Sequence, residues 1–269
     1  MSLRAIKSAV ETGLARFVEQ NPYLWKVSWE IVKRVPVLLP HDKSYNAFRH
    51  FVKAVPQGLF LDVGANDGIT ALGFRKFSTT YRILSLEPNP LLEPGLLKIK
   101  SHDPLFEYRL VGAGDKPASM VLYMPVYRGI ALHTYTSGSL DKSKATLRHI
   151  CGNYVAEASE VKEFSVNIVT VDSLAIDPSI AKIDVEGFDY EVLLGAVQTI
   201  ERNRPFIAIE LAWARRAVVE AFFEERGYVL LSYDVGRDRF GRDNAGGQSG
   251  ERNSFAVPKE RLASLPLSD

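Results

Sequence analysis

The stretch Leu59–Thr70, LFLDVGANDGIT, ends an apolar run in a turn of small and polar residues. Gly64 and Gly68 permit a tight passage from a strand into a helix, with the backbone close to a ligand. The acidic residue Asp62 distinguishes this turn from the G-x-G-x-x-G turn that holds the pyrophosphate of a dinucleotide. Because a carboxylate repels phosphate and attracts cations, the turn predicts a ligand with a positively charged end.

A second acid, Glu87, follows 25 residues after Asp62, where the apolar segment RILSLEP ends. An acid at this position can accept hydrogen bonds from both hydroxyls of a ribose. A nucleoside that carries an amino-acid tail meets both requirements, and S-adenosylmethionine is such a molecule. Each acid also has a structural interpretation, Asp62 as a helix cap and Glu87 as a surface residue. The two acids together, with the glycines between them, favour the cofactor site.

Short apolar runs alternate with helical patterns from residue 59 onward, which is typical of a parallel sheet with helices on both faces. The pattern predicts a seven-stranded, mostly parallel Rossmann-like α/β sheet. One strand is predicted to be antiparallel, because a glycine-rich loop at 236–252 replaces the last helix. The predicted strands cover residues 59–64, 82–88, 106–112, 181–186, 205–211, 228–234 and 253–258. The predicted helices cover residues 68–78, 89–101, 188–203 and 213–226.

Two segments depart from this alternation. Residues 113–172 are too long for a simple crossover, and insertions of this kind over an α/β sheet often act as lids or substrate-binding walls. Residues 1–56 have a helical pattern with apolar positions on one face. We therefore expect an N-terminal helical extension over 1–56 and a catalytic domain over 57–269 that contains the insertion.

Two blocks of the sequence resemble known proteins. FLDVGANDG and LSLEPNP are similar to the cofactor half of a class I, Rossmann-like methyltransferase. The block at 170–211 resembles the signature of the FkbM family, T-[LV]-D-x-L, K-I-D-V-E-G-x-[DE]-x-x-V-L-x-G-A and R-P-x-I-x-x-E. The resemblance extends over about 59–259. It implies an S-adenosylmethionine-dependent methyltransferase that methylates a hydroxyl on a sugar, a glycolipid or a polyketide-type natural product.

The resemblance also implies cofactor-binding positions, which follow the first three strands: Asp62, Gly64, Asn66, Gly68, Glu87, Gly112, Ala113 and Asp115. The first four would line the methionine part of the cofactor, and Glu87 would hold the ribose. Gly112 and Ala113 would read the edge of the adenine. Asp115 would complete that contact or form a turn. Asp172, by contrast, is expected to cap the short helix that follows it.

Three further acids lie at predicted strand ends, over which α/β sheets bind their ligands. Asp184 and Glu186 end the fourth strand on one face, and Glu210 ends the fifth. In one account a carboxylate of the first pair deprotonates the acceptor hydroxyl. In the other, Asp184 and Glu210 bind Mg²⁺, which lowers the pKa of the hydroxyl. Glu186 could instead cap a helix or pair with Lys182. His133, in the insertion, is a secondary candidate for the general base.

Composition restricts the partners and the compartment. A net charge of +1 argues against nucleic acid, although residues 1–56 carry nine Lys and Arg against four Asp and Glu. The single cysteine, Cys151, is typical of a reducing compartment. No apolar run approaches the ~20 residues of a membrane span. Because Glu11 and Arg16 interrupt any signal-peptide core, we expect a cytoplasmic protein.

Two other functions fit parts of the pattern. The chain could bind the cofactor without catalysis and recruit a partner or a membrane through its N-terminal helices. It could also be an aminopropyl transferase, which shares the cofactor half of the fold. The methyltransferase interpretation predicts a small-molecule hydroxyl acceptor as the partner, and the amphipathic N-terminal helices suggest a homodimer. The acceptor itself, the metal dependence and the identity of the base cannot be read from the sequence.

Overall fold

A computed structural model describes residues 42–127, 130–132, 135–151, 159–185, 187–211, 215–242 and 253–268. Two of the predicted catalytic residues, His133 and Glu186, lie outside the described residues, as does residue range 1–41 of the predicted N-terminal extension. The described residues fall into two compact units, a larger one within 36–119 and 166–269 and a smaller one within 120–165.

The helices and strands alternate much as the sequence pattern predicts. The strands are β1 (Leu59–Val63), β2 (Arg82–Leu86), β3 (Phe106–Arg109), β4 (Gly112–Ala113), β5 (Ala118–Tyr127), β6 (Ile130–Ala131), β7 (Ser159–Val169), β8 (Pro178–Ile183), β9 (Phe206–Glu210), β10 (Tyr228–Asp234), β11 (Arg239–Arg242) and β12 (Asn253–Pro258). The α-helices are α1 (Phe48–Ala54), α2 (Ile69–Phe74), α3 (Glu93–His102), α4 (Leu140–Cys151), α5 (Asp189–Leu194), α6 (Val197–Asn203) and α7 (Arg216–Glu225). Short 3₁₀ helices cover Lys43–Ala47, Pro90–Leu92, Asp172–Leu174 and Lys259–Ser264.

The main sheet has eight strands in the order β11-β10-β12-β9-β8-β1-β2-β3. Strands β3, β2, β1, β8 and β9 pair in parallel. Strand β12 lies between β9 and β10 and is antiparallel to both, and β11 is antiparallel to β10. The α/β class is therefore confirmed. The predicted seven strands with one antiparallel member are wrong in number, because β11 adds an eighth strand and a second antiparallel one.

Strand β11 lies in the segment at 236–252 that the sequence presents as a loop. The side chain of Asp234 accepts hydrogen bonds from the backbone N–H groups of Gly236 (2.8 Å) and Arg237 (3.0 Å), which forms a tight turn. The chain then pairs with β10 and buries Phe240 completely. A single apolar residue among charges and glycines does not produce an alternating pattern, so the strand was not predicted.

The two faces of the sheet carry separate apolar layers. On β1, Phe60 belongs to one layer and Leu61 to the other. The first layer also includes the helix α1, whose Phe48 packs edge-on against Phe60 at 5.4 Å between ring centroids. Phe51 of the same helix stacks on Phe206 of β9 at 4.5 Å. Each such buried aromatic side chain contributes about 1.5–3 kcal/mol. Residues 42–54 are thus part of the core of the larger unit.

Asp172 caps a helix, but a different one from the helix expected. Its carboxylate accepts hydrogen bonds from the backbone N–H groups of Gln198 (3.1 Å) and Thr199 (2.8 Å). These groups belong to the first turn of α6, where N–H donors have no partner within the helix. The short helix Asp172–Leu174 that follows in sequence receives no such bond from this side chain. The acid of the T-V-D-S-L element therefore anchors α6 to the end of β7.

Residues of the predicted insertion form much of a second sheet, with the order β4-β7-β5-β6. Strand β4 is parallel to β7, and β5 is antiparallel to β6. Within the smaller unit, the Ser143 hydroxyl of α4 donates to the carbonyl of Tyr123 on β5 at 2.9 Å. That the insertion is a lid stays a prediction. No helix among the described residues combines the length and the apolar character needed to cross a bilayer.

Candidate functional site

The turn after β1 is built around two glycines with positive φ. Gly64 has φ +79°, and its N–H donates to the carbonyl of Leu86 on β2 at 2.9 Å. A Cβ at Gly64 would lie 1.8 Å from the carbonyl oxygen of Asp184. Gly68 has φ +86°, and a Cβ there would lie 2.2 Å from the Ile99 side chain on α3. The sequence suggested that these glycines allow a ligand to approach, whereas in the structure they make room for neighbouring parts of the protein.

Replacing Gly64 with alanine is expected to lower the free energy of unfolding by about 2–5 kcal/mol, because positive φ and a backbone clash act together. The matched control is Gly73→Ala. Gly73 lies in α2, and a Cβ there meets no atom within 4 Å, so this change should be neutral or stabilise by up to about 1 kcal/mol. Urea unfolding of both variants measures the difference. Equal losses in the two variants would contradict the close approach of Gly64 to Asp184.

Glu87 connects the turn after β1 to the turn after β2. Its carboxylate accepts the backbone N–H of Asn66 through Oε2 and that of Asn89 through Oε1, each at 2.8 Å. Asn66 itself has φ +53°, a conformation that asparagine tolerates well. A carboxylate offers about four lone pairs. Since two are used by these amides, Glu87 keeps acceptor capacity on both oxygens for a ligand with two hydroxyls.

Burial raises the pKa of Glu87 to about 7, although the N–H groups of Asn89 and Asn66 oppose that rise. The folded protein therefore holds a proton on this carboxyl at a pH where the unfolded chain, with a pKa near its ordinary value of 4.5, has lost it. Consequently, stability falls as the pH rises from about 4.5 to about 7 and is then constant with respect to this group. A difference of this size corresponds to about 3 kcal/mol.

The variant Glu87→Gln isolates this contribution, because other buried acids titrate in the same range in both proteins. The free energy of unfolding of the wild type, minus that of the variant, should decrease by about 3 kcal/mol between pH 4.5 and 7. Urea titrations at several pH values measure it. A difference that does not change with pH would show that the Glu87 carboxyl has an ordinary pKa in the folded protein.

A row of polar side chains crosses the apolar layer beneath the turn. Ser85, Asp62 and Lys182 lie opposite one another on β2, β1 and β8. The Ser85 hydroxyl donates to Asp62 Oδ2 at 3.2 Å. Lys182 Nζ lies 3.7 Å from Asp62 Oδ1 and 3.2 Å from Asp184 Oδ2, and it donates to the carbonyl of Gly64 at 2.9 Å. The structure thus places the Asp62 carboxylate against the ammonium of Lys182.

The charge on Lys182 is maintained by its neighbours. Burial alone lowers the pKa of this amine, but the carboxylates of Asp184 and Asp62 oppose burial, and the pKa lies well above its ordinary value. Burial raises the pKa of the neighbouring Tyr45, so its phenol is neutral. For Asp62, burial raises the pKa and the Lys182 ammonium opposes the rise. Sequence reasoning matched Lys182 to the family signature but did not give it this role. A lysine in the middle of an apolar strand was the available signal.

The predicted acids at the later strand ends have different environments. Asp184 directly follows β8, its N–H donates to the carbonyl of Val63 at 3.1 Å, and its side chain is 27% exposed. Glu210 ends β9 opposite Asn253 of β12. In the parts of the chain that the structure describes, no three His, Cys, Asp or Glu side chains lie close enough to hold a metal ion. The predicted Mg²⁺ site at Asp184 and Glu210 therefore has no geometric support.

The predicted adenine-side residues lie beside the Glu87 turn. The predicted third strand, 106–112, ends earlier, at Arg109, and residues 112–113 form the separate strand β4. A Cβ at Gly112 would lie 2.6 Å from Ile168 and 3.5 Å from Pro88, the residue after Glu87. The nearer atom is the end of the flexible Ile168 side chain, and the distance to Pro88 is an ordinary van der Waals contact. Asp115 is exposed, which leaves both of its predicted roles open.

Strand β12 is inserted antiparallel between two parallel strands, and acids lie at the ends of β1, β2 and β8. This arrangement is that of a Rossmann-like, class I methyltransferase. A model of the Methyltransferase FkbM domain matches residues 62–230, which is more than half of the chain. The chain belongs to the FkbM methyltransferase family, as the sequence motifs predicted. No curated protein matches the sequence significantly.

Similar solved structures are distant in sequence. Methyltransferase FkbM from Methylobacillus flagellatus KT is 14% identical, with a TM-score of 0.47 over 75% of this chain. The present chain spans 44% of the length of that protein. Precorrin-6Y C5,15-methyltransferase from Geobacter metallireducens is 12% identical, with a TM-score of 0.38 over 78% of this chain and 85% of that one. The C-terminal domain of precorrin-6Y C5,15-methyltransferase from Rhodobacter capsulatus is 10% identical, with a TM-score of 0.37 over 78% and 86%.

Proposed function

We propose that the chain is an S-adenosylmethionine-dependent O-methyltransferase that acts on a hydroxyl of a small molecule such as a sugar, a glycolipid or a polyketide. Membership of the FkbM family supports methyl transfer. The observation that carries the proposal of this cofactor is Glu87, a buried carboxylate that closes two turns at the ligand-binding edge of the sheet.

The residues present fit a nucleoside cofactor. Glu87 has lone pairs on both oxygens for the two hydroxyls of a ribose, and its backbone partners at Asn66 and Asn89 hold it in place. Gly112 of β4 lies near Pro88, and its lack of a side chain next to this turn suits the flat edge of a base. When bound, S-adenosylmethionine supplies an electrophilic methyl group.

Deprotonation of the acceptor hydroxyl is assigned to Asp184. This carboxylate is partly exposed at the end of β8, and its ion pair with the ammonium of Lys182 at 3.2 Å holds it in place. When the acceptor oxygen takes the methyl group and the bond between that methyl and the cofactor sulfur breaks, the electron pair would stay on sulfur and the hydroxyl proton would pass to the Asp184 carboxylate. Much of the acceleration in such a transfer comes from alignment of the reactants, so a fixed base suffices. We favour this account over Mg²⁺, since Asp184 already has a cationic neighbour.

Two measurements test the proposal. Calorimetry should show one binding site for S-adenosylmethionine per chain. Transfer of a labelled methyl group should then be detected with hydroxyl acceptors, and not with matched amines or thiols, from a panel of sugars, glycolipids and polyketides. A chelator should leave the turnover unchanged. Transfer only to amines would refute O-methylation, turnover abolished by the chelator would restore the metal account, and absence of binding would refute the cofactor.

A further inference from the structure

The polar row beneath the turn has a role that the sequence did not suggest. We propose that Asp62 and Lys182 are positioning residues, which set the spacing between the turn after β1 and Asp184 after β8 without touching a ligand. The expected effect on cofactor binding and turnover rests on the proposed function. Its structural part, that one buried ammonium joins the two strand ends, does not depend on any cofactor.

Burial separates the pair from the ligand-binding edge. Asp62 is 0% exposed and Lys182 is 2% exposed. Side chains two apart on a strand share a face, so Asp62 lies on the face of Phe60, and Lys182 on that of Ile180, within the first apolar layer. The ligands of an α/β sheet bind outside its strand ends. A direct contact between Asp62 and the ammonium of the cofactor would require the carboxylate to leave this layer.

The ammonium of Lys182 joins parts of the chain that are far apart in sequence. Its hydrogen bond to the carbonyl of Gly64 spans 118 residues, and its ion pair with Asp184 lies at 3.2 Å. Bonds from a charged donor are shorter and about twice as strong as neutral ones. The N–H of Asp184 also bonds to the carbonyl of Val63. The turn and the candidate base are therefore connected both by backbone and by this ammonium, and movement of Lys182 moves both.

The segment before α1 belongs to the same apolar layer as Lys182. Tyr45 of this segment is buried in the first apolar layer together with Ile180, which precedes Lys182 by two residues on β8. The segment is itself anchored, because the Asn253 side-chain amide donates to Asp42 at 2.8 Å and to Ser44 at 3.1 Å. Since Lys182 is buried, water cannot replace a partner that it loses. Loss of the Asp62 charge should therefore change its contacts with Gly64 and Asp184.

A double-mutant cycle tests whether Asp62 acts through Lys182. Asp62→Asn and Lys182→Met are each expected to weaken S-adenosylmethionine binding by 10- to 100-fold and to lower kcat. The double variant should bind at least as tightly as Lys182→Met, because Asp62 acts only through Lys182, which is already absent. In Lys182→Met the Asp62 carboxylate is buried without its cationic partner, and Asp62→Asn removes that charge. If the double variant binds tenfold more weakly than Lys182→Met, Asp62 contacts the ligand itself and the inference is wrong.

Hydrogen exchange supplies a readout that needs neither turnover nor cofactor. The amides of Gly64, Ala65 and Asp184, all bonded across strand ends, should exchange at least tenfold faster in the double variant. The matched control is Lys100→Met, an exposed lysine paired with Glu107 at 2.6 Å, which should leave them unchanged. Unchanged exchange in the double variant refutes the inference, even if Lys182→Met alone does not fold. A wild type that binds no S-adenosylmethionine refutes the proposed function instead.

Discussion

Replacement of Glu87 by alanine should weaken the binding of S-adenosylmethionine by at least about 100-fold. The substitution removes the hydrogen bonds to the ribose and also the bonds that hold the two turns together. Above about pH 7, where the Glu87 carboxyl is ionised, a hydrogen bond to this charged group contributes about 1.5–3 kcal/mol, and the ribose would make two of them. The alanine also leaves the N–H groups of Asn66 and Asn89 without the carboxylate that holds the two turns together. Calorimetric titration of the folded variant measures the change in Kd.

Two comparisons make the Glu87 result specific. Glu107→Ala removes an exposed acid on the neighbouring strand β3, where it pairs with Lys100 of α3. This change should leave the Kd unchanged. Glu87→Gln keeps the shape but directs an NH₂ group toward one of the two backbone donors, so its loss should also exceed tenfold. A Kd for Glu87→Ala within threefold of the wild type would mean that the ribose does not bind at this carboxylate.

The parts of the site that the sequence predicted are those encoded within one short segment. Asp62, Gly64 and Gly68 lie within seven residues, and the strand before them has a continuous apolar pattern. Glu87 was found because the next strand ends in the same way. Local patterns of this kind identify strand ends, and parallel strands bring their carboxyl ends to one edge of the sheet. The placement of Glu87 beside Asn66 follows from these rules.

The parts that could not be predicted depend on contacts between distant segments. Which group faces Asp62 is decided by the register of β1 against β8, and only that register brings Lys182 opposite to it. Likewise, Phe48 and Phe51 are buried in the core of the larger unit, and the sequence did not show which surface they would cover. A pattern shows which face of an element is apolar, but it does not show which surface that face will cover.

The glycines illustrate the same limit at a single position. A glycine before a helix correctly predicts a tight turn with positive φ, which Gly64 and Gly68 both have. The reason for the missing side chain was not predictable, because the atoms that a Cβ would meet belong to Asp184 and Ile99, from distant elements. The turn is therefore restricted by the protein itself. This explains why Gly64→Ala should impair folding even in the absence of a ligand.

Asp184→Asn should lower kcat by about 100-fold or more while the KM for S-adenosylmethionine changes by less than about threefold. A positioned general base contributes about 10²–10⁴-fold, and an amide cannot accept the proton. Since asparagine has the same shape and can still accept a hydrogen bond from Lys182, the turn at Gly64 should remain in place. Steady-state kinetics with the best hydroxyl acceptor measure both constants.

The matched control for Asp184→Asn is Asp177→Asn, which changes an exposed acid that pairs with Arg202 at 3.1 Å before β8. Its kcat should equal that of the wild type. Glu210→Gln separates the two chemical accounts, because a base at Asp184 acts without Glu210, whereas a bound Mg²⁺ would need both acids. A kcat for Asp184→Asn within fivefold of the wild type would show that alignment alone drives the transfer. Equal, chelator-sensitive losses in Asp184→Asn and Glu210→Gln would instead identify a metal ion as the group that activates the hydroxyl.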